Sequence, residues 1–300
     1  MNSSSNSPFN SFASSRLCVF ALNQASEKIR HSPRKSIAMP AHSDETPLIV
    51  ARDVAMSFSA DSLALSGIST TIMAGEFVSI VGPSGCGKST FLRLVAGLRS
   101  STSGSLQIED QPPIDSPLRR AFVFQDPSLL PWRTVEANVR LPFELGNGTD
   151  SAHQTARVAQ TLRLVGLAES DSLKRPRELS GGMRMRVSLA RALVTDPQIM
   201  LLDEPFAALD DILRQQLNEE LQRIWYVKRW TGLFVTHNVS EAVFLSQRVL
   251  VMSRRPGTFL ADIAVPFAFP RSPNLRAEPE FARLTGEISV QLRRAAGVTT

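Results

Sequence analysis

Apolar residues run along this chain in two rhythms. Near-continuous short runs, EFVSIVG at 76–82, QIMLLDEP at 198–205, GLFVTH at 232–237 and RVLVMS at 248–253, have the length and character of strands buried on both faces. LIVARDVAMSF at 48–58 and the stretch from Gly67 to Met73 read as two further strands. Elsewhere the apolar positions recur at helical spacing. Phe91, Leu94, Val95 and Leu98 do so in KSTFLRLVAGL, with Gly97 near the end; Val158, Leu162 and Val165 do so in ARVAQTLRLVGL; Leu213, Leu217, Leu221 and Ile224 form a third stripe. Strands alternating with helices predict a doubly wound α/β sheet. The region of about 126–180 is poor in β-branched runs and reads as a mostly helical subdomain inserted into that sheet.

The predicted organisation is an extension over 1–45, a core domain over 46–265 and a helical extension over 266–300. Residues 1–45 are rich in Ser, Asn and Pro and hold no acid before Glu27, a composition that predicts disorder. RLCVFAL at 16–22 leaves open an organellar transit peptide, or a start at Met39. At the other end, PFAFPRSP predicts a turn, followed by a helix with Phe281, Leu284, Ile288 and Leu292 on one face. That face is expected on the core, with a regulatory or dimer-contacting surface as the alternative.

Charge and cysteines add little. The formal charge of +5 and pI near 9.7 owe much to Arg16, Lys28, Arg30, Arg34 and Lys35 in the extension, so they are weak grounds for a nucleic-acid partner. No apolar run approaches the roughly 20 residues that span a bilayer. Cys18 and Cys86 form neither a disulfide framework nor a CxxC site, which fits a reducing compartment.

The chemistry begins at VGPSGCGKST, residues 81–90. Gly82, Gly87, Lys88 and Ser89 fit G-x-x-x-x-G-K-[ST], between a predicted strand and a predicted helix. Glycines let backbone N–H groups converge on phosphate oxygens, and the helix points its positive end at the same anion. Lys88 would reach the β and γ phosphates, Ser89 would ligate Mg²⁺, and Thr90 adds a hydroxyl near the α phosphate. The pattern points to ATP or GTP. Asp203 and Glu204 close the strand IMLL, where one acid can hold the Mg²⁺ shell and its neighbour can polarise an attacking water. Both are expected to face the crevice from the frayed strand end. LSGGM at 179–183 opens a second helix with Ser180 and two glycines. A second phosphate site without a base pocket of its own implies work on a nucleotide held by another subunit.

Over roughly residues 47–270 the chain resembles the ATP-binding subunits of ABC transporters, an α/β P-loop ATPase core of mixed sheet and flanking helices with an inserted helical subdomain. VFQDPSLLPW resembles the family's Q-loop, LSGGM its signature with Met183 where Gln is commonest, IMLLDEPFAALD its Walker B and D-loop, and FVTHNVSEA its switch histidine. LLPWRTVEANV, LSGGMRMRV and SRRPG look most like the nitrate, sulfonate and taurine importers. The resemblance implies catalytic roles for Glu204, His237 and Gln125. It implies nucleotide contacts from Phe58, stacked on adenine, and from Gly82, Ser84, Gly85, Cys86, Gly87, Lys88, Ser89 and Thr90. Ser180, Gly181 and Gly182 would serve the twin subunit's ATP, Asp210 would touch that subunit, and Ser89, Gln125 and Asp203 would hold Mg²⁺. The expected partners are a second copy, integral membrane permease subunits beside Asp126–Trp132, and indirectly a solute-binding protein. Nucleic acid is not expected, and the expected location is the cytoplasmic face of the inner membrane. The rival is an ABC-type ATPase acting on DNA or ribosomes. Against it, only a short helical stretch separates Gln125 from Ser180, and the chain carries a single phosphate loop.

Overall fold

The computed structural model describes residues 46–59, 62–146 and 151–297; the expectations for 1–45 lie outside the described residues. In chain order the strands and longer helices are β1 (Pro47–Ser57), β2 (Leu63–Met73), β3 (Phe77–Val81), α1 (Lys88–Val95), β4 (Ser103–Ile108), β5 (Arg120–Val123), α2 (Val135–Leu145) and α3 (Ser151–Leu164). There follow α4 (Gly181–Leu193), β6 (Ile199–Asp203), α5 (Asp211–Lys228), β7 (Thr231–Val235), α6 (Val239–Leu245), β8 (Arg248–Met252), β9 (Phe259–Ala264) and α7 (Pro279–Ala295).

Six strands form the central sheet in the order β5-β6-β7-β3-β8-β9, parallel except for β9, which runs antiparallel to β8 along one edge. The first two predicted strands do not join it. β1, β2 and β4 build a separate antiparallel sheet in the order β2-β1-β4. A parallel crossover needs a dozen or more residues, and the link between β1 and β2 is far too short for one, so the two must pair as a hairpin. The stripe in α1 is also shorter than its spacing suggests. Gly97 turns left-handed at φ 74, the helix stops at Val95, and Leu98 is 62% exposed.

Each central strand serves two cores. Phe77 and Val81 belong to one apolar cluster and Val78 and Ile80 to the other, as the two-residue period of a strand requires. One cluster lies under α1 and the antiparallel sheet, the other under α4 to α7. Phe77 anchors the second, its ring edge-on to Trp225 at 5.7 Å. Phe281, Leu284 and Ile288 of α7 are buried in that same cluster with Leu292 packed against it. Their face therefore covers the core.

Arg271 ties the proline-rich turn to this core. Its guanidinium, 4% exposed, donates to Val243 O, Phe244 O and Ser246 O at the end of α6, at 2.6, 2.9 and 2.9 Å. It stacks on Phe269. Burial pulls its basicity down to about 9. Three helix-end carbonyls stand in for an acid, the polarity a helix C-terminus offers a cation.

Candidate functional site

β3 ends at Val81 and the chain then turns so tightly that Gly82 and Gly87 have no room for a side chain. A Cβ on Gly82 would lie 2.9 Å from Met252 O, and one on Gly87 would lie 2.5 Å from Leu65 Cδ2, at a backbone φ of 112. Lys88, the first residue of α1, is almost wholly buried, and its Nζ donates to Gly82 O and Pro83 O at 2.8 and 3.0 Å. The ammonium thus sits inside the loop it crosses. Burial pushes the neighbouring Cys86 thiol up, against the pull of the Lys88 charge.

The two acids reach this loop by different routes. Asp203, still in β6, accepts from Ser89 Oγ at 2.7 Å. Burial pushes its carboxyl above the usual range; the Ser89 hydroxyl opposes the shift and the Glu204 charge adds to it. Glu204 turns left-handed, at φ 46, while its N–H pairs with Val235 O at 2.9 Å. A non-glycine residue pays roughly 1–2 kcal/mol for that backbone. Only Glu204 lines the cleft: its left-handed backbone, not fraying, carries it there, while Asp203 stays in β6 against Ser89. Glu204 Oε1 is 3.9 Å from Lys88 Nζ, and Oε2 is 3.0 Å from His237 Nδ1.

A cleft of about 390 Å³ opens over these groups, lined by residues 84–90 with Phe58, Ala64, Gln125, Glu204 and Arg255. Phe58 is 48% exposed, with the Arg99 guanidinium 5.1 Å from its ring centre, so it is no core residue closing β1. Gln125 follows β5 into the cleft. Ser89, Asp203 and Gln125 offer hydroxyl, carboxylate and amide oxygen, a set suited to a hard cation. Among the described residues no three His, Cys, Asp or Glu side chains converge as a metal cage. Mg²⁺, which keeps waters and substrate oxygens, needs only one or two protein carboxylates.

Ser180, Gly181 and Gly182 are absent from the residues lining this cleft. Ser180 caps α4, its Oγ accepting from Met183 N at 3.3 Å. A Cβ on Gly182 would fall 2.6 Å from Leu213 Cδ2, and Leu213 N donates to Asp210 Oδ1, the cap of α5. The signature helix therefore packs directly on the segment carrying Asp210.

Two groups escaped the sequence reading. Arg255 lines the cleft from within SRRPG, a segment that carries the importer resemblance but no expected site residue. Glu241, buried on α6, accepts from Thr236 Oγ1 and from Asn218 Nδ2, with Arg214 Nε 3.9 Å away. An acid inside an apolar stripe four residues past a candidate histidine was the available signal.

The sequence profile of the ABC transporter family matches residues 65–207. The nitrate import ATP-binding protein NrtD of Synechococcus elongatus is 40% identical over 75% of this chain and 83% of its own length. The aliphatic sulfonates import ATP-binding protein SsuB 1 of Mesorhizobium japonicum is 46% identical over 76% of this chain and 82% of its own. Among solved structures, the dimeric ATP-binding cassette MJ0796 in a post-hydrolysis state with ADP and Pi aligns with TM-score 0.65 and 28% identity. That alignment covers 74% of this chain and all of the other. With Glu204 and the phosphate loop lining one cleft, Asp203 bonded to Ser89 and His237 to Glu204 at its edge, this chain belongs to the ABC transporter family as an ATP-hydrolysing cassette.

Proposed function

We propose that this chain powers an importer of small anionic solutes of the nitrate, sulfonate or taurine type, through partner permease subunits fed by a solute-binding protein. No described helix is long and apolar enough to cross a membrane, so attachment would be peripheral, through those permeases, at the cytoplasmic face of the inner membrane. The observation that carries the reading is the split site. Lys88, Glu204 and Gln125 line one cleft while Ser180, Gly181 and Gly182 lie outside it. The names of the two relatives support the class of cargo.

In this reading Phe58 carries the base, residues 84–90 wrap the phosphates with backbone N–H groups, and Lys88 trades loop carbonyls for β and γ oxygens. Ser89, Asp203 and Gln125 would hold Mg²⁺, which neutralises phosphate charge when bound. Glu204 orients the attacking water and takes up its proton, and His237 holds the γ phosphate. A second copy supplies Ser180 and Gly182 from across the interface, so ATP joins the pair and its cleavage releases it.

Two assays test this. ATPase rate per molecule should fall on dilution; a flat rate would exclude the shared site. With the neighbouring permease in proteoliposomes, ATP should drive uptake of labelled nitrate or an alkanesulfonate. ATPase stimulated by DNA and indifferent to permease would favour the nucleic-acid reading instead.

A further inference from the structure

SRRPG lies just past β8, outside every nucleotide motif, yet its backbone reaches the phosphate loop. Gly257 N donates to Ala64 O at 2.9 Å and Ser66 N to Gly257 O at 3.0 Å, a bridge onto the start of β2. Ser253 closes the turn, its Oγ accepting from Thr258 N at 2.9 Å. This holds Arg255 against Ser62 and Leu63, where β2 begins. There Nε donates to Leu63 O at 3.0 Å, and Nη2 donates to Ser62 O at 3.3 Å and to Ser62 Oγ. Ser62 O also accepts from Phe58 N, at 3.0 Å. One carbonyl therefore joins the Arg255 fork to the residue whose ring faces the cleft. Among the described residues Nη1 has no hydrogen-bond partner, and the side chain lines the cleft with Phe58.

We propose that Arg255 is a positioning residue for the base end of the nucleotide: it pins the β1–β2 turn so that the Phe58 ring stands ready as a platform. Planar, with several donors in a fixed fork, a guanidinium grips two successive carbonyls and a hydroxyl from two separate nitrogens, a spread that the single nitrogen of an ammonium matches less well. Phe58 is half exposed, and a ring that must be ordered on binding costs affinity. Arg255 therefore governs ATP affinity and leaves the chemical step to Glu204 and His237. This rests on the reading of Phe58 as the base platform.

The test compares Arg255→Ala, Arg255→Lys, Phe58→Ala and the double Phe58→Ala/Arg255→Ala, using ATP for kinetics and inorganic tripolyphosphate, which has no base, as competitor. Arg255→Ala should raise KM for ATP about tenfold, of the order that losing hydrogen bonds to a charged group brings. kcat should stay within twofold and the tripolyphosphate inhibition constant should not change. Arg255→Lys should fall between. The double variant should be no worse than Phe58→Ala alone. The proposal is overturned if Arg255→Ala leaves KM within twofold, if tripolyphosphate weakens in parallel with ATP, or if the two single effects multiply in the double variant. Should Phe58→Ala leave KM unchanged, the platform reading fails by itself. Should Phe58→Ala raise KM while Arg255→Ala does not, only the role of Arg255 fails.

Discussion

Replacing Gly257 by alanine probes the phosphate loop from behind, at a residue outside the cleft lining. Gly257 is not in the left-handed region, so alanine meets no backbone penalty and space alone decides. The new methyl carbon would lie 2.1 Å from Cys86 O and 3.0 Å from Met252 Sδ. The methionine can swing away; the carbonyl belongs to the loop. To reach ordinary contact one of the two backbones must retreat by about 1 Å, and the next peptide N–H groups along the loop, those of Gly87 and Lys88, move with it. Misplacement of about 1 Å in a positioned site costs on the order of a hundredfold in rate, while overpacking of this kind destabilises by about 1–3 kcal/mol. The expected result is a kcat/KM for ATP down about a hundredfold and weaker tripolyphosphate binding, with a melting temperature lower by several degrees. Steady-state ATPase, calorimetry with tripolyphosphate and a thermal melt measure the three. If kcat/KM stayed within threefold of wild type, the argument that Gly257 packs the loop into its working position would be refuted.

Lys88→Ala should weaken ATP binding itself by more than tenfold, and unchanged affinity by calorimetry would count against the cradle. Glu204→Gln should bind ATP normally, turn over almost nothing and accumulate as a dimer on size-exclusion chromatography; ATPase within a few-fold of wild type would defeat the assignment. Glu241→Gln gives a pH signature. Burial pushes the Glu241 carboxyl above its ordinary 4.5, opposed by the Thr236 and Asn218 hydrogen bonds and by the charges of Arg214 and His237. The folded chain therefore keeps that proton to higher pH than the unfolded one, and wild-type stability declines as pH rises through the window above 4.5. The glutamine variant lacks this loss, so its melting temperature relative to wild type should improve from about pH 4 to about pH 7. An offset that does not change with pH would refute the burial cost.

Much of the site could be read from the chain because its residues sit within short motifs, and a strand–loop–helix context orders them whatever the rest does. The central strands were equally visible, as apolar runs long enough to be buried on both faces. What escaped depends on contacts remote in sequence. The separate antiparallel sheet follows from a hairpin link of a few residues, a matter of chain reach and not of apolar rhythm. Glu204 faces the cleft through a left-handed φ, which a glutamate does not advertise. Arg255 meets Ser62 only because β8 and the β1–β2 turn end side by side, and no spacing in the chain encodes that.

Arg271 gives the tail of the molecule a part in its engine. The helix it ties off is barely two turns long, and its far end begins two residues beyond His237. A chain cut after Val265 would lose the lock on that helix along with the cover α7 gives it, leaving three helix-end oxygens without their guanidinium donor. On the role proposed for His237, slack introduced there would have only one short rod to cross before it reached that side chain, and the proline-rich segment would be its backstop.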